Sequence, residues 1–372
     1  MKAHGPATGR DLDRRTVLAL GGALGVAALA GCSFPEHPIA TATPASAPTG
    51  TDPRRIIKAS GLDTPWSMVA RKDGSFLISE RDTARIVALS PDGTLTELAQ
   101  LPQVVPGGEA GLLGLEILTD AGGREWLYAY MGTRDDNRVV RFELLESGVG
   151  PAHDILTGIP RAGIHNGGRI KLGPDGLLYI GTGDATDRQA AQDPARLNGK
   201  ILRIEPDGGI PEGNPFAGSP VYSYGHRNVQ GLGWDSAGRL WISELGPEKD
   251  DEVNLVRAGG NYGWPQVTGV AGDPGLIDPI HVWAKTSEAS PSALAIDGDV
   301  AYVACLRGER LWVLPLPQGT PPAGGALPGA REMLTGREGR LRDALVVGNE
   351  LWLATNEGAT SRIIALSLAE MG

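Results

Sequence analysis

Leu177-Leu178-Tyr179-Ile180-Gly181, followed by Gly199-Lys200-Ile201-Leu202-Arg203-Ile204, sets an apolar run beside a second run of alternating character. Side chains on a strand point alternately to opposite faces, so this pairing reads as two neighbouring strands rather than a helix. The pairing recurs along the chain. Upstream copies are Ser75-Phe76-Leu77-Ile78-Ser79 with Ala84-Arg85-Ile86-Val87-Ala88-Leu89, and Trp126-Leu127-Tyr128-Ala129-Tyr130 with Asn137-Arg138-Val139-Val140-Arg141-Phe142. Downstream copies are Arg239-Leu240-Trp241-Ile242-Ser243 with Glu252-Val253-Asn254-Leu255-Val256, and Val300-Ala301-Tyr302-Val303-Ala304 with Glu309-Arg310-Leu311-Trp312-Val313-Leu314. The last is Glu350-Leu351-Trp352-Leu353-Ala354 with Ser361-Arg362-Ile363-Ile364-Ala365-Leu366. A spacing of roughly 50 to 60 residues suits a four-stranded blade with long loops. Six copies predict an all-β chain folded as a six-bladed β-propeller of four-stranded antiparallel blades.

Composition agrees. The chain has 54 Gly and 28 Pro, a content that points to many turns, and Pro-Asp-Gly turns stand at Pro91-Asp92-Gly93, Pro174-Asp175-Gly176 and Pro206-Asp207-Gly208. Such glycines serve tight hairpins, not phosphates, and no GxGxxG, P-loop or paired-cysteine pattern is present. A formal charge of -10 argues against a nucleic-acid partner, which needs basic surface to displace counterions.

The N-terminus reads as an address. Asp13-Arg14-Arg15-Thr16-Val17-Leu18 leads into a small, apolar run ending at Leu29-Ala30-Gly31-Cys32, the pattern of a twin-arginine signal with a lipobox. The run is too short and too rich in Gly and Ala for a membrane span. Residues 1–32 are therefore expected to be the signal, with Cys32 lipidated, and the protein to be exported and held at the outer face of the membrane by lipid alone. Residues 33–52, rich in Pro, Ala and Thr, read as a disordered tether, and 53–372 as one catalytic domain. Only Cys305 would then remain, so no intramolecular disulfide is expected.

Four clusters stand out from the repeat. Ile164-His165-Asn166-Gly167-Gly168-Arg169 puts an imidazole before one strand, and Asp184 puts a carboxylate after the next. A neutral His can take a substrate proton while a carboxylate fixes its tautomer. The others are Tyr224-Gly225-His226-Arg227-Asn228-Val229-Gln230-Gly231-Leu232; Glu244-Leu245-Gly246-Pro247 with Asp250-Asp251-Glu252-Val253-Asn254 and Gly260-Asn261-Tyr262-Gly263-Trp264-Pro265; and Gly339-Arg340-Leu341-Arg342-Asp343 with Arg307 upstream. His226 reads as structural and Trp264 as a packing residue.

Taken together, Gly-His-Arg-Asn-x-Gln-Gly-Leu, Asn-Tyr-Gly-Trp-Pro and Gly111-Leu112-Leu113-Gly114-Leu115 resemble the glucose/sorbosone dehydrogenase family, over nearly all of the chain from about Pro65 to Ala365. The resemblance implies a dehydrogenase that uses pyrroloquinoline quinone (PQQ) and Ca2+ to oxidise an aldose at its anomeric carbon to the lactone, passing electrons to an external acceptor. It further implies that His165 is the base, that Asp184 orients it, and that Arg227 and Asn228 contact the quinone. Arg340 and Arg342 would contact the cofactor carboxylates, and two residues apart on a strand they would share one face. The carbonyls of Gly246 and Pro247 would hold the calcium that meets the quinone, and Glu252 with the Tyr262 carbonyl a second, structural calcium. Glu109 stands where the soluble glucose enzyme has Gln, Leu245 where relatives have Gln or His, and Ile164 where an Asp precedes the base. Leu306 aligns with a cofactor-contacting Lys, leaving Arg307 as its substitute. A calcium-dependent propeller lactonase and a cofactor-less sugar-binding or scaffold lipoprotein are the alternatives.

Overall fold

The computed structural model describes residues 53–319 and 324–371. The expected signal, lipidated Cys32 and tether lie outside the described residues, and among these no helix is long and apolar enough to cross a membrane. Twenty-five strands and three short 3-10 helices are described.

The strands form six antiparallel sheets in chain order. Blade one is Pro65–Ala70, Phe76–Glu80, Arg85–Leu89 and Leu95–Gln100. Blade two is Leu112–Thr119, Glu125–Gly132, Asn137–Leu145 and His153–Ile159, with the two-residue strand Gly148–Val149 added at one end. Blades three and four begin at Ile170–Leu172 and Val229–Trp234, and blades five and six at Pro291–Asp297 and Leu341–Val347. Each repeated pair of the sequence is the second and third strand of a blade. The three Pro-Asp-Gly turns carry φ values of 90°, 78° and 94° at Gly93, Gly176 and Gly208, a region open to glycine at little cost.

Blade six is completed from the other end of the chain. Its fourth strand is Arg55–Leu62, paired antiparallel with Ser361–Ser367 so that Ile57 faces Ile364. This strand precedes the first repeat, and nothing in its own pattern names its partner.

Packing closes the ring. Six apolar clusters are present among the described residues, and each spans a junction between neighbouring blades. Leu178 and Ile180 of blade three pack on Tyr128 and Tyr130 of blade two, whereas Tyr179 and Ile201 pack on Val229 and Ile242 of blade four. Phe76 of blade one stacks on Trp352 of blade six at 4.1 Å, sealing the last junction. The second strand of each blade is thus buried on both faces for most of its length, which is why these strands read as continuous apolar runs, whereas outer strands such as Leu95–Gln100 and His153–Ile159 stay largely exposed. Cys305 lies free and buried in this core.

The first strand of each blade lines the axis. There Arg169 of blade three meets Asp343 of blade six at 2.9 Å, donates to the Gln230 carbonyl at 2.8 Å, and lies over Trp66 at 4.4 Å. This buried pair ties blade three to blade six.

Candidate active site

His165 sits between strands in a left-handed backbone conformation, φ 59°. The turn is held from several sides. Its N–H donates to Glu109 Oε2 at 2.7 Å, its carbonyl accepts from Ala185 N–H at 3.0 Å, and Gly167 N–H donates to Asn228 Oδ1 at 2.9 Å. A Cβ on Gly167 would stand 2.5 Å from the Gly181 carbonyl, so only glycine lets this loop lie against blade three.

The expected dyad is formed. His165 Nδ1 lies 2.8 Å from Asp184 Oδ1, with Asp184 wholly buried and His165 8% exposed. Burial pushes the Asp184 carboxyl up, but hydrogen bonds from His165, Thr186 N–H and Trp264 outweigh it and hold the group below its ordinary range. An ionised Asp184 accepts, so the Nδ1 atom carries the proton and Nε2 presents its lone pair. That lone pair meets Arg227 Nη2 at 2.7 Å.

Arg227 stands beside Glu244, Leu245 and Trp264. Its Nη1 donates to the Leu245 carbonyl at 2.9 Å, and its backbone N–H donates to Glu244 Oε1. The other Glu244 oxygen takes His226 Nδ1 at 2.9 Å, while His226 Nε2 meets Ser223 Oγ at 2.8 Å. Both ring nitrogens of His226 are thus engaged by side chains. Two buried donors, Arg227 Nε and Asn228 Nδ2, have no partner among the described residues.

Next to the dyad is a cavity of about 230 Å³ lined by Arg81, Arg307, Arg340 and Arg342, with Glu109 and Leu245. Glu109 touches the His165 backbone and Leu245 touches the Arg227 side chain, so base and cavity share a wall. Arg340 and Arg342 converge here, but strand alternation is not the cause. Arg340 precedes the strand and is exposed, and a register shift between Leu341 and Asp343 places Arg342 at a bulge. Arg342 is 5% exposed and fixed by Gln230 Oε1 at 2.9 Å and Asn356 Oδ1 at 3.2 Å. Burial and the neighbouring Arg81 guanidinium push Arg342 down to about 9, an environment that calls for an anion.

Gly246, Pro247, Glu252 and Tyr262, which the sequence divides between two metal sites, line one ion-sized space of about 10 Å³ together with Glu244. Neither the Gly246 nor the Pro247 carbonyl accepts a hydrogen bond among the described residues. Gly246 N–H is held by Asp251 Oδ1 at 2.8 Å, which fixes the turn. Burial and then the Glu244 charge push Glu252 up to about 8. Among the described residues no group of three or more acidic, His or Cys side chains could hold a metal, so backbone oxygen would have to contribute.

The sequence model of the family described as glucose/sorbosone dehydrogenase matches residues 62–364. The chain belongs to this glucose/sorbosone dehydrogenase family. The PQQ-bound aldose sugar dehydrogenase of Streptomyces coelicolor is similar at 43% identity and a TM-score of 0.80, over 86% of this chain and 99% of that one. Quinoprotein glucose dehydrogenase B of Acinetobacter calcoaceticus is 31% identical over 70% of this chain and 61% of its own length. The aldose sugar dehydrogenase of Escherichia coli is 34% identical over 56% of this chain and 60% of its own. The chain therefore spans about three-fifths of the length of these two curated relatives.

Within this member of the glucose/sorbosone dehydrogenase family, the structure adds residues that sequence reasoning missed. Trp264, read as packing, donates its indole N–H to Asp184 Oδ2 at 2.9 Å. Glu244 joins His226 to Arg227, Gln230 anchors Arg342, and Arg81 lines the cavity. Arg81 sits in ordinary blade sequence and carried no signal, whereas Gln230 lies inside the Gly-His-Arg-Asn-x-Gln-Gly-Leu run without a role that the run assigns. Trp264 and Glu244 lie inside motifs already singled out, and their polar atoms were the available clue.

Proposed function

We propose that the protein is a PQQ-dependent aldose dehydrogenase that oxidises the anomeric carbon to the lactone. The observation that carries this reading is an imidazole fixed at Nδ1 by Asp184, its Nε2 facing Arg227, beside a cavity lined by four arginines. The residues present fit the cofactor. Excess guanidinium charge suits a tricarboxylate, and the unpartnered Arg227 Nε and Asn228 Nδ2 offer donors to a quinone. Arg340, Arg342, Arg307 and Glu109 would hold it at the carboxylate side, and Arg227 and Asn228 at the quinone side. Unpaired carbonyls of Gly246 and Pro247 suit Ca2+, and Glu252 with the Tyr262 carbonyl suits a structural Ca2+. When bound, PQQ supplies the two-electron acceptor for the hydride and calcium the Lewis acid.

The chain's own part is proton transfer and charge control. His165 Nε2 takes the anomeric hydroxyl proton as the C1–H electron pair leaves with its hydrogen, so the sugar loses two electrons and becomes the lactone. Asp184 keeps the proton on Nδ1 beforehand and stabilises the imidazolium afterwards. Arg227 must first release Nε2, and its Leu245 anchor lets the guanidinium turn towards developing negative charge. Electrons then pass to an external acceptor. The protein works outside the cytoplasm, tethered by lipid at Cys32.

A preparation beginning at Ser33, given PQQ with Ca2+, is expected to show a shifted quinone absorbance and to reduce a dye with aldoses. No spectral shift and no dye reduction with any sugar would overturn the proposal. Lactone hydrolysis without quinone would replace it with the lactonase reading.

A further inference from the structure

We propose that Trp264 is a positioning residue for the proton transfer, acting through Asp184 on His165. The inference rests on the function proposed above. Asp184 Oδ1 already serves two donors, His165 Nδ1 at 2.8 Å and Thr186 N–H at 2.8 Å. Oδ2 is served by the Trp264 indole N–H at 2.9 Å. A carboxylate held at one oxygen can still swing about its Cβ–Cγ bond; held at both, it cannot.

The indole is placed too exactly for incidental packing. Trp264 N–H donates to the Gly225 carbonyl at 2.9 Å, and the Trp264 carbonyl accepts from Gln192 Nε2 at 2.7 Å. Gln192 and Asn261 exchange amide hydrogen bonds, both at 2.9 Å, which clamps the loop between Asp251–Leu255 and His281–Trp283, the last two strands of blade four, onto the 3-10 helix Arg188–Gln192 of blade three. Arg227 and Arg188 lie over the Trp264 ring at 5.5 and 5.6 Å. Trp264 thus touches both groups that meet His165, Asp184 through its N–H and Arg227 through its ring.

A neutral donor on Oδ2 draws charge from the carboxylate without adding any. It keeps Asp184 a weaker acceptor, so the imidazolium formed in the reaction is supported yet still gives up its proton. Removing the N–H leaves Oδ2 buried and unpaired. The carboxylate becomes more basic, grips Nδ1–H harder and favours protonated His165, so the acid limb of the pH–rate profile moves to higher pH.

Trp264→Phe keeps the ring and deletes the donor. With PQQ and Ca2+ bound, kcat is expected to fall by about tenfold while sugar KM and quinone affinity stay within about twofold. The acid limb of kcat/KM is expected to rise by about half a pH unit. A second readout needs no quinone: the downfield proton resonance of the His165–Asp184 hydrogen bond, assigned by its loss in Asp184→Asn, is expected to move in Trp264→Phe. Should that variant unfold, Gln192→Leu frees the loop while sparing every ring, and is expected to move the same resonance by less. Unchanged kcat, pH profile and resonance in a folded Trp264→Phe would overturn the inference, as would an unmoved resonance in Gln192→Leu. Lack of quinone turnover in the unsubstituted protein would overturn the function and leave the resonance to decide Trp264.

Discussion

Arg227 Nη2 lies 2.7 Å from His165 Nε2, while Asp184 holds Nδ1 of the same ring at 2.8 Å. The candidate base is therefore engaged at both nitrogens, and its free lone pair is shared with a guanidinium. Arg227→Met would release Nε2 and remove the charge that the proposed function sets against the reduced quinone. Carbethoxylation of His165, followed by peptide mass spectrometry without cofactor, is expected to quicken by about tenfold, whereas dye reduction falls by at least about a hundredfold.

Three donors converge on the Asp184 carboxylate, and an amide cannot accept them all. Asp184→Asn turns one NH2 group against a donor and loses the tautomer control. A fall in kcat of between about a hundredfold and ten-thousandfold is expected, with a lower Tm, read by stopped-flow dye reduction and thermal denaturation.

Arg342 is buried and anchored, Arg340 exposed. Quinone titration is expected to show about a hundredfold weaker binding for Arg342→Gln and a loss of only a few-fold for Arg340→Gln. Because burial and Arg81 oppose the Arg342 charge, Arg342→Gln should also raise the Tm of the cofactor-free protein.

Glu244 and Glu252 share an ion-sized space. Calcium is expected to raise the Tm of the cofactor-free protein, chelation to reverse the gain, and Glu252→Gln to abolish most of it. Differential scanning calorimetry with and without chelator is the measurement.

Lys200 is wholly buried, and its ammonium donates to the carbonyls of Ala190, Ala191 and Asn198 at 2.8, 3.0 and 2.7 Å. Burial pushes it down to about 7 from 10.5. Between those values the unfolded chain binds a proton that the folded one has released, so this group's cost is full below about 7 and fades as pH rises. Unfolding free energy should thus carry a positive slope of about 1 kcal/mol per pH unit over that window, which Lys200→Met lacks. Lys200→Met also strands three carbonyls and is expected to lower stability at neutral pH, as denaturant titration would show.

The blades were legible because a propeller repeats one local unit, and each copy shows its own period. Leu178–Gly181 and Lys200–Ile204 fall within the stretches that opened the reading. The closing pair Arg55–Leu62 with Ser361–Ser367 was not, since it joins opposite ends of the chain and its register depends on the ring being closed. At the site, His165, Asp184 and the Gly-His-Arg-Asn run were legible as motifs. Trp264 and Gln230 were present in motifs singled out from the sequence, but their roles were not legible, because these come from side-chain atoms reaching across a blade boundary.

By itself, the sequence determined the six-blade architecture, the chemical inventory of the site and the family, since periodicity and motif composition are local properties of a chain. Only the tertiary structure decided which of those groups touch. It set Arg227 on His165, brought two expected metal sites to one space, and placed Arg342 at its cavity through a bulge instead of strand alternation. The physical reason is that hydrogen bonds and charges act over a few ångströms, and residues far apart in sequence come within that reach only when the ring closes.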